Sequence, residues 1–463
     1  MQLRKLAALA VGTMVLAGAC QAGAPGSPSA GASGAAKGTL KIGVVLPLSG
    51  GARADGAPAL RGVELAVAEA NEAGGVGGYN LELSVLDHAV NGKYNEQQGA
   101  KDMQTLVGDT SVIAAVGPYN SAVAKVQIPI SNDAGLLQCS PANTNEGLTK
   151  PDFGALDYRK NFPDRINYVR VATTDDIQGP AMSAYAYNDL GLRNILVVDD
   201  VTTFGTGVAD NFQKEFERLG GTTADRIGAN ADTTDFVPII TAAKEKNPDG
   251  VYYGGVVPSG GGLLLKQMAQ QGLDVPFLGP DGIKNGSGED EGALIQIAGA
   301  DESKNSYATV AAIGDFPAKA EFDARFTEHF KDESDFKTPG AYSGPAYACA
   351  TIILEALEKA AAGAADMAAL REAVRADLTA GTAFETVLGS VTFDENGDTS
   401  QLIISFYKVD PALKNGKGDW VFIEQQDFGA SSGAEGSPEA SGDSGGSPEA
   451  SGEAGGSPEA SGS

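Results

Sequence analysis

TLKIGVVLPLSGGARADGAPALRGVELAVAEANEAGGVGG, residues Thr39 to Gly78, decides the fold. An apolar run, Ile42 to Leu46, ends in a Pro/Gly/Ser loop. Leu60, Val63, Val67 and Ala70 then recur at spacings of three and four, which predicts a helix, and a glycine cluster closes the unit at Gly74 to Gly78. Strand, loop, helix and turn make the first half of a parallel βαβ unit. In open α/β sheets ligands bind beyond the carboxyl ends of strands, so the loop Pro47 to Gly56 is the first candidate for a site.

Working outward, strand and helix signals alternate. Leu81 to Leu86, Val112 to Val116, Tyr168 to Val171, Ile195 to Val198, Gly250 to Tyr253 and Pro276 to Leu278 read as strands. Between them, helices are expected over Asn95 to Val107, Ala122 to Asp133, Gln178 to Leu190, Val208 to Leu219, Phe236 to Lys246 and Leu263 to Gln271. Ala318 to Lys331, Ala341 to Ala362 and Met367 to Asp377 follow as helices, and the end turns β at Ser390 to Phe393, Gln401 to Val409 and Asp419 to Ile423. So many βα units exceed one modest sheet, and two α/β lobes are the economical arrangement. Five strands run into a polar or glycine loop: GPYNS after Val116, SPANT after Cys139, DDVTTFG after Val198, GGVVPSGG after Tyr253 and GPDG after Leu278. Hydroxyls and backbone N–H groups at helix starts suit a carboxylate, and a lone acid in such a loop suits an ammonium group. Each loop alone is ordinary turn chemistry; five together point to one cleft between lobes.

Composition narrows the partners. With a formal charge of -27 among 463 residues, the chain lacks the clustered Lys and Arg that nucleic acid or an anionic lipid surface requires. Only two histidines occur, His88 and His329, in no metal-binding motif, and neither G-x-S-x-G nor a Walker loop is present. No cofactor, metal or catalytic group is expected. DENGD, Asp394 to Asp398, departs from a calcium loop at Gly397 and Ser405 and reads as a hairpin turn. At the start, Arg4 and Lys5, an apolar run from Leu6 to Leu16 and small residues before Cys20 predict a lipoprotein signal over residues 1–20, with Cys20 lipidated after cleavage. Residues 21–38 read as a flexible tether. From 429 to 463 an acidic, low-complexity tail repeats GSPEASG every ten residues and is expected to be disordered. Cys139 and Cys349 either pair or stay as two buried thiols; spacing alone does not decide between them.

The markers KIGVVLPLSG, GPYNS, SPANT, DDIQGP at Asp175, FGTG at Phe204, DGVYYGG at Asp249, GPDGIKNGS at Gly279 and VTFDENGD at Val391 resemble the periplasmic leucine/isoleucine/valine-binding proteins of branched-chain amino acid ABC transporters. The resemblance covers Lys41 to Lys408. It implies an α/β type I binding-protein fold, in which two Rossmann-like lobes joined by three crossovers close on a ligand. The crossovers would fall near Thr174, Ile313 and Val391, giving one lobe from 39–173 with 314–390 and another from 174–313 with 391–428. The resemblance places the ligand α-carboxylate on Ser121 and Thr144. It places the α-ammonium on the carbonyl of Ala142 and on Asp281, where the family usually carries Glu. Around the ligand side chain, Phe204 and Val256 stand where the family has tyrosines, Tyr119 where it has an aliphatic residue, and Asp55 where some members have an aromatic ring. The sequence leaves open whether Asp55 faces the cleft or sits exposed on its rim; facing in, it calls for a polar or cationic ligand group.

What this implies is an extracytoplasmic, membrane-anchored, non-enzymatic and monomeric solute-binding protein. It would pass an amino acid to an ABC permease with its ATPase subunits. A ligand-sensing receptor of the same fold, or a binder of another small molecule such as an amide, is the alternative.

Overall fold

The structure is a computed structural model that describes residues 37–429. The expected signal, Cys20 lipidation, nearly all of the tether and the repeats of the tail lie outside those residues. Five parallel strands form the first sheet: β1 Thr39–Leu46, β2 Asn80–Asp87, β3 Val112–Val116, β4 Leu137–Ser140 and β5 Tyr168–Arg170, in the order β2-β1-β3-β4-β5. The second sheet has seven: β6 Asn194–Asp199, β7 Thr222–Gly228, β8 Gly250–Gly254, β9 Phe277–Gly279, β10 Ser306–Val310, β11 Ile403–Asp410 and β12 Asp419–Asp427. Their order is β12-β11-β10-β9-β8-β6-β7, with only β11 and β12 antiparallel to their neighbours. Every residue of β3, β4 and β8 is buried, as strands covered on both faces require, and the polar Gln138 and Ser140 of β4 are satisfied by hydrogen bonds.

Helices α1 Arg53–Glu72, α2 Glu96–Gly108 and α3 Ser121–Ala134 flank the first sheet, and α4 Asp175–Ala184 and α5 Thr203–Arg218 pack together beside the second. The chain leaves the first sheet after Arg170. It returns with the helices Lys319–His329, Ser343–Ala360 and Met367–Leu378, whose Phe326, Ile353 and Val374 join the core around Ile42 and Val63. It then crosses back to supply β11 and β12. Each fully buried aliphatic side chain in these cores contributes about 1.5–3 kcal/mol relative to exposure. Lys37 sits on the first lobe, its N–H donating to Gly78 O (2.8 Å) and its Nζ to Ala361 O (3.1 Å), whereas Phe428 and Gly429 continue from β12 of the second lobe. None of the helices among the described residues is long and apolar enough to cross a membrane.

Several elements differ from the sequence reading. The edge strand β7, TTADRIG, was not expected: it is half-buried and polar, so it lacks an apolar run. β10, SYATV, was also missed, because Ser306 and Thr309 are polar yet fully buried between neighbouring strands. Helix α5 starts at Thr203, five residues ahead of expectation, and includes the two glycines of FGTG. Those glycines mark close packing: a Cβ on Gly205 would stand 2.5 Å from Gly254 O. Cys139 of β4 and Cys349 of the helix Ser343–Ala360 form a disulfide across a separation of 210 residues. DENGD is a hairpin turn, with Asp394 Oδ1 accepting from the N–H groups of Asn396 and Asp398 (both 2.9 Å).

Arg170 and Asp398 tie the crossovers together. The guanidinium is fully buried and its Nε donates to Asp398 Oδ1 at 2.6 Å. It also donates to Thr149 Oγ1 and, at 2.7 Å, to Asn145 O. One ion pair thereby fixes the end of β5, the loop after β4 and the return crossover.

Candidate ligand-binding site

All five strand-end loops open onto one narrow cavity between the lobes, of about 20 Å³. Tyr119 and Ser121 line it from GPYNS, Ala142 and Thr144 from SPANT, Phe204 from DDVTTFG, Val256 from GGVVPSGG and Asp281 from GPDG. Seven of the eight residues expected to contact ligand thus share one cavity. Loops at the carboxyl ends of parallel strands converge because the strands run the same way. Tight backbone contacts hold them there. A Cβ on Gly117, which has φ +116°, would lie 2.4 Å from Val45 O, and one on Gly282 would lie 2.4 Å from Gly255 O.

The cavity meets the start of α3. Asn120, the residue before that helix, does not cap it. Its Oδ1 accepts from Nε2 of buried His88 at 2.9 Å, and burial lowers the His88 pKa to about 4, leaving the ring neutral. The first N–H groups of α3 are therefore not capped by the side chain of Asn120. Beside them Thr144 Oγ1 is buried, close to the Asp175 carboxyl but in no hydrogen bond of normal geometry. Uncapped helix N–H groups with an idle buried hydroxyl suit a carboxylate.

Asp281 lines the same cavity. Its Oδ1 accepts from Gln178 Nε2 (2.8 Å) and its Oδ2 from Tyr342 OH (2.7 Å). Burial raises its pKa to about 6, with these two donors partly offsetting. It makes no ion pair with a Lys or Arg among the described residues. Gln178 also reaches Asp175 Oδ1 at 3.2 Å, and Asp175 is a fully buried acid held well above its usual range by burial and by nearby Glu146 and Asp281. A buried carboxylate without a counter-ion is costly, and an ammonium group relieves it.

Tyr94, Asn120 and Thr202 line the cavity too and were not foreseen. Nor were Gln178 and Tyr342, which bond to Asp281. Gln178 was readable: Asp175 and Gln178 are spaced i, i+3, which puts them on one helix face, once α4 is started at Asp175 instead of Gln178. Tyr342 comes from a segment some 60 residues after GPDG, and nothing local marks it. Another part of the wall holds Phe204, Val256 and Tyr94 around Val208. Further bonds span the lobes, among them Asn145 Nδ2 to Thr203 O (3.2 Å) and Asn211 Nδ2 to Glu146 Oε1 (3.0 Å).

Asp55 requires a correction. It is not in a loop: α1 begins at Arg53, so Asp55 lies in its first turn, a start disguised by Gly56 and Pro58. Nor is it exposed on a rim, since only 7% of its surface is accessible. It lines a second, wider cleft that shares Tyr119 with the first cavity. Burial pushes its pKa up to about 8, the Asn285 amide partly offsetting and the Asp281 charge adding.

The model of the periplasmic binding protein family matches residues 39–417. The Leu/Ile/Val-binding protein homolog 2 of Brucella abortus is 31% identical over 361 residues, spanning 78% of this chain and 88% of that one. A leucine-, isoleucine-, valine-, threonine- and alanine-binding protein of Pseudomonas aeruginosa is 32% identical, over 80% of this chain and 90% of its own. Among solved structures, a leucine-binding protein from Thermotoga maritima superposes with a TM-score of 0.67 at 25% identity, covering 83% of this chain and 98% of the other. A solute-binding protein from Rhodopseudomonas palustris in complex with p-hydroxybenzoic acid shares the fold at TM-score 0.68 and 18% identity, over 84% and 97%. The chain belongs to the periplasmic binding protein family, with the branched-chain amino acid-binding proteins of ABC transporters as its relatives.

Proposed function

We propose that this protein captures an amino acid between its lobes, outside the cytoplasm, and delivers it to a membrane permease. The observation that carries this reading is that one cavity holds both an uncapped helix start with the buried Thr144 hydroxyl and an Asp281 carboxylate that has no ion-pair partner among the described residues. A free α-amino acid presents the complementary pair of charges. Ser121, Thr144 and the α3 N–H groups would hold the carboxylate; Ala142 O and Asp281 would hold the ammonium. Tyr119, Phe204 and Val256 would enclose the start of the side chain. The lobes, 39–173 with 314–390 and 174–313 with 391–428, would close by hinging about the crossovers, ligand favouring the closed state. Lipidation at Cys20 would hold the protein at the membrane.

A thermal-shift screen over the twenty amino acids, with amides and polyamines as controls, tests the reading. Stabilisation by an α-amino acid is expected, with loss of that shift in Asp281→Ala. Stabilisation only by ligands without an α-ammonium would overturn it.

A further inference from the structure

Beyond Tyr119 the second cleft has a volume of about 440 Å³ between the start of α1, the loop after Asp281 and the segment leading to Tyr342. Five carboxylates line it, and four are accounted for. Asp335 pairs with Arg53, and Glu289 with Lys417 at 3.3 Å. Asp290 accepts from Ser287 N and Oγ, both at 2.8 Å. Asp419 faces Lys414 at 3.8 Å. Asp55 is the fifth and the most buried, and no Lys or Arg among the described residues pairs with it. The groups facing it are the Tyr119 hydroxyl, the Asn285 amide and the Asp281 carboxyl. Lys284 lines the same cleft, but its Nζ sits 4.4 Å from the centroid of the Tyr407 ring and answers to Asp419 and Lys319.

Two of the buried carboxyl groups that lack an ion-pair partner among the described residues, Asp281 and Asp55, therefore line the neighbouring cavities that share Tyr119. The proposed function assigns Asp281 to an α-ammonium and leaves Asp55 unmatched. Resting on that reading, we propose that Asp55 binds a second positive charge at the end of the ligand side chain, so that the ligand class is an amino acid with a cationic side chain. An apolar side chain would leave the Asp55 carboxyl facing hydrocarbon, whereas an ammonium or guanidinium group satisfies it with a charge-assisted hydrogen bond. The space beyond Tyr119 provides the room that a branched-chain ligand does not use.

The test is calorimetric titration of the full chain with L-ornithine, L-lysine and L-arginine against L-glutamine and L-leucine. At least one cationic amino acid is expected to bind tenfold or more tightly than both neutral ones. Because Asp55 is largely protonated before binding, close to one proton per ligand is expected to be released at pH 7, read from the dependence of binding heat on buffer ionisation enthalpy. In Asp55→Asn both the proton release and the tenfold preference are expected to vanish. The wild-type preference and proton release stand as tests even if that variant folds poorly. Equal or tighter Asp281-dependent binding of L-leucine or L-glutamine would overturn this inference and leave the amino-acid reading intact. Binding of no amino acid at all would overturn both.

Discussion

Asp281 and Asp55 are chemically identical and differently placed. Both are buried, and burial lifts both above the usual carboxylate range, to about 6 and about 8. The difference lies in their donors: Asp281 has Tyr342 and Gln178, Asp55 only the Asn285 amide. For Asp281 the sign of the pH effect follows directly. An ammonium ligand needs the carboxylate, so protonation competes with binding below pH ~6. A cationic amino acid, which must also ionise Asp55, is expected to lose affinity already below pH 8. For a neutral amino acid, which engages Asp281 alone, affinity is expected to be level between pH 7 and 8 and to weaken by roughly tenfold per unit as pH falls below 6. Titration calorimetry across that range checks this, and Asp281→Asn should bind weakly at every pH without the slope.

At the scale of elements, the strand-end loops were legible because each follows an apolar run, and a buried parallel strand has to end somewhere polar. The starts of α1 and α5 were not. Their first turns carry Gly56 and Pro58, or Gly205 and Gly207, which read locally as loop but serve close backbone contacts. β7 and β10 were illegible for opposite reasons: one is an edge with little burial, the other buries Ser306 and Thr309. In the cavity, residues set by their own loops were readable, while Tyr342 and Tyr94 arrive by tertiary contact alone. The Arg170–Asp398 pair is another tertiary product, joining three elements that are distant in sequence. Asp398→Ala would leave the Arg170 charge buried without its partner. It is expected to cost about 3–5 kcal/mol, read as a lower denaturation midpoint in urea. Asn145, whose carbonyl Arg170 holds, bonds across the cleft to Thr203, so ligand affinity should fall as well.

Over the whole molecule, the chain visits the first lobe twice, and the Cys139–Cys349 disulfide joins the two visits. β4 runs straight into SPANT, and the helix carrying Cys349 starts next to Tyr342. The bond thus fastens the strand that leads into SPANT to the helix that follows Tyr342, the donor to Asp281. Replacing both cysteines by alanine is expected to lower stability by about 2–4 kcal/mol, measured by reversible denaturation under oxidising conditions. The attachment of Lys37 to the first lobe and of Gly429 to the second has its own consequence. The described chain enters through one lobe and leaves through the other, so under the proposed hinge closure the separation of those two points is itself a gauge of the opening. A pair of fluorophores placed there would follow each capture and release without any label near the cleft.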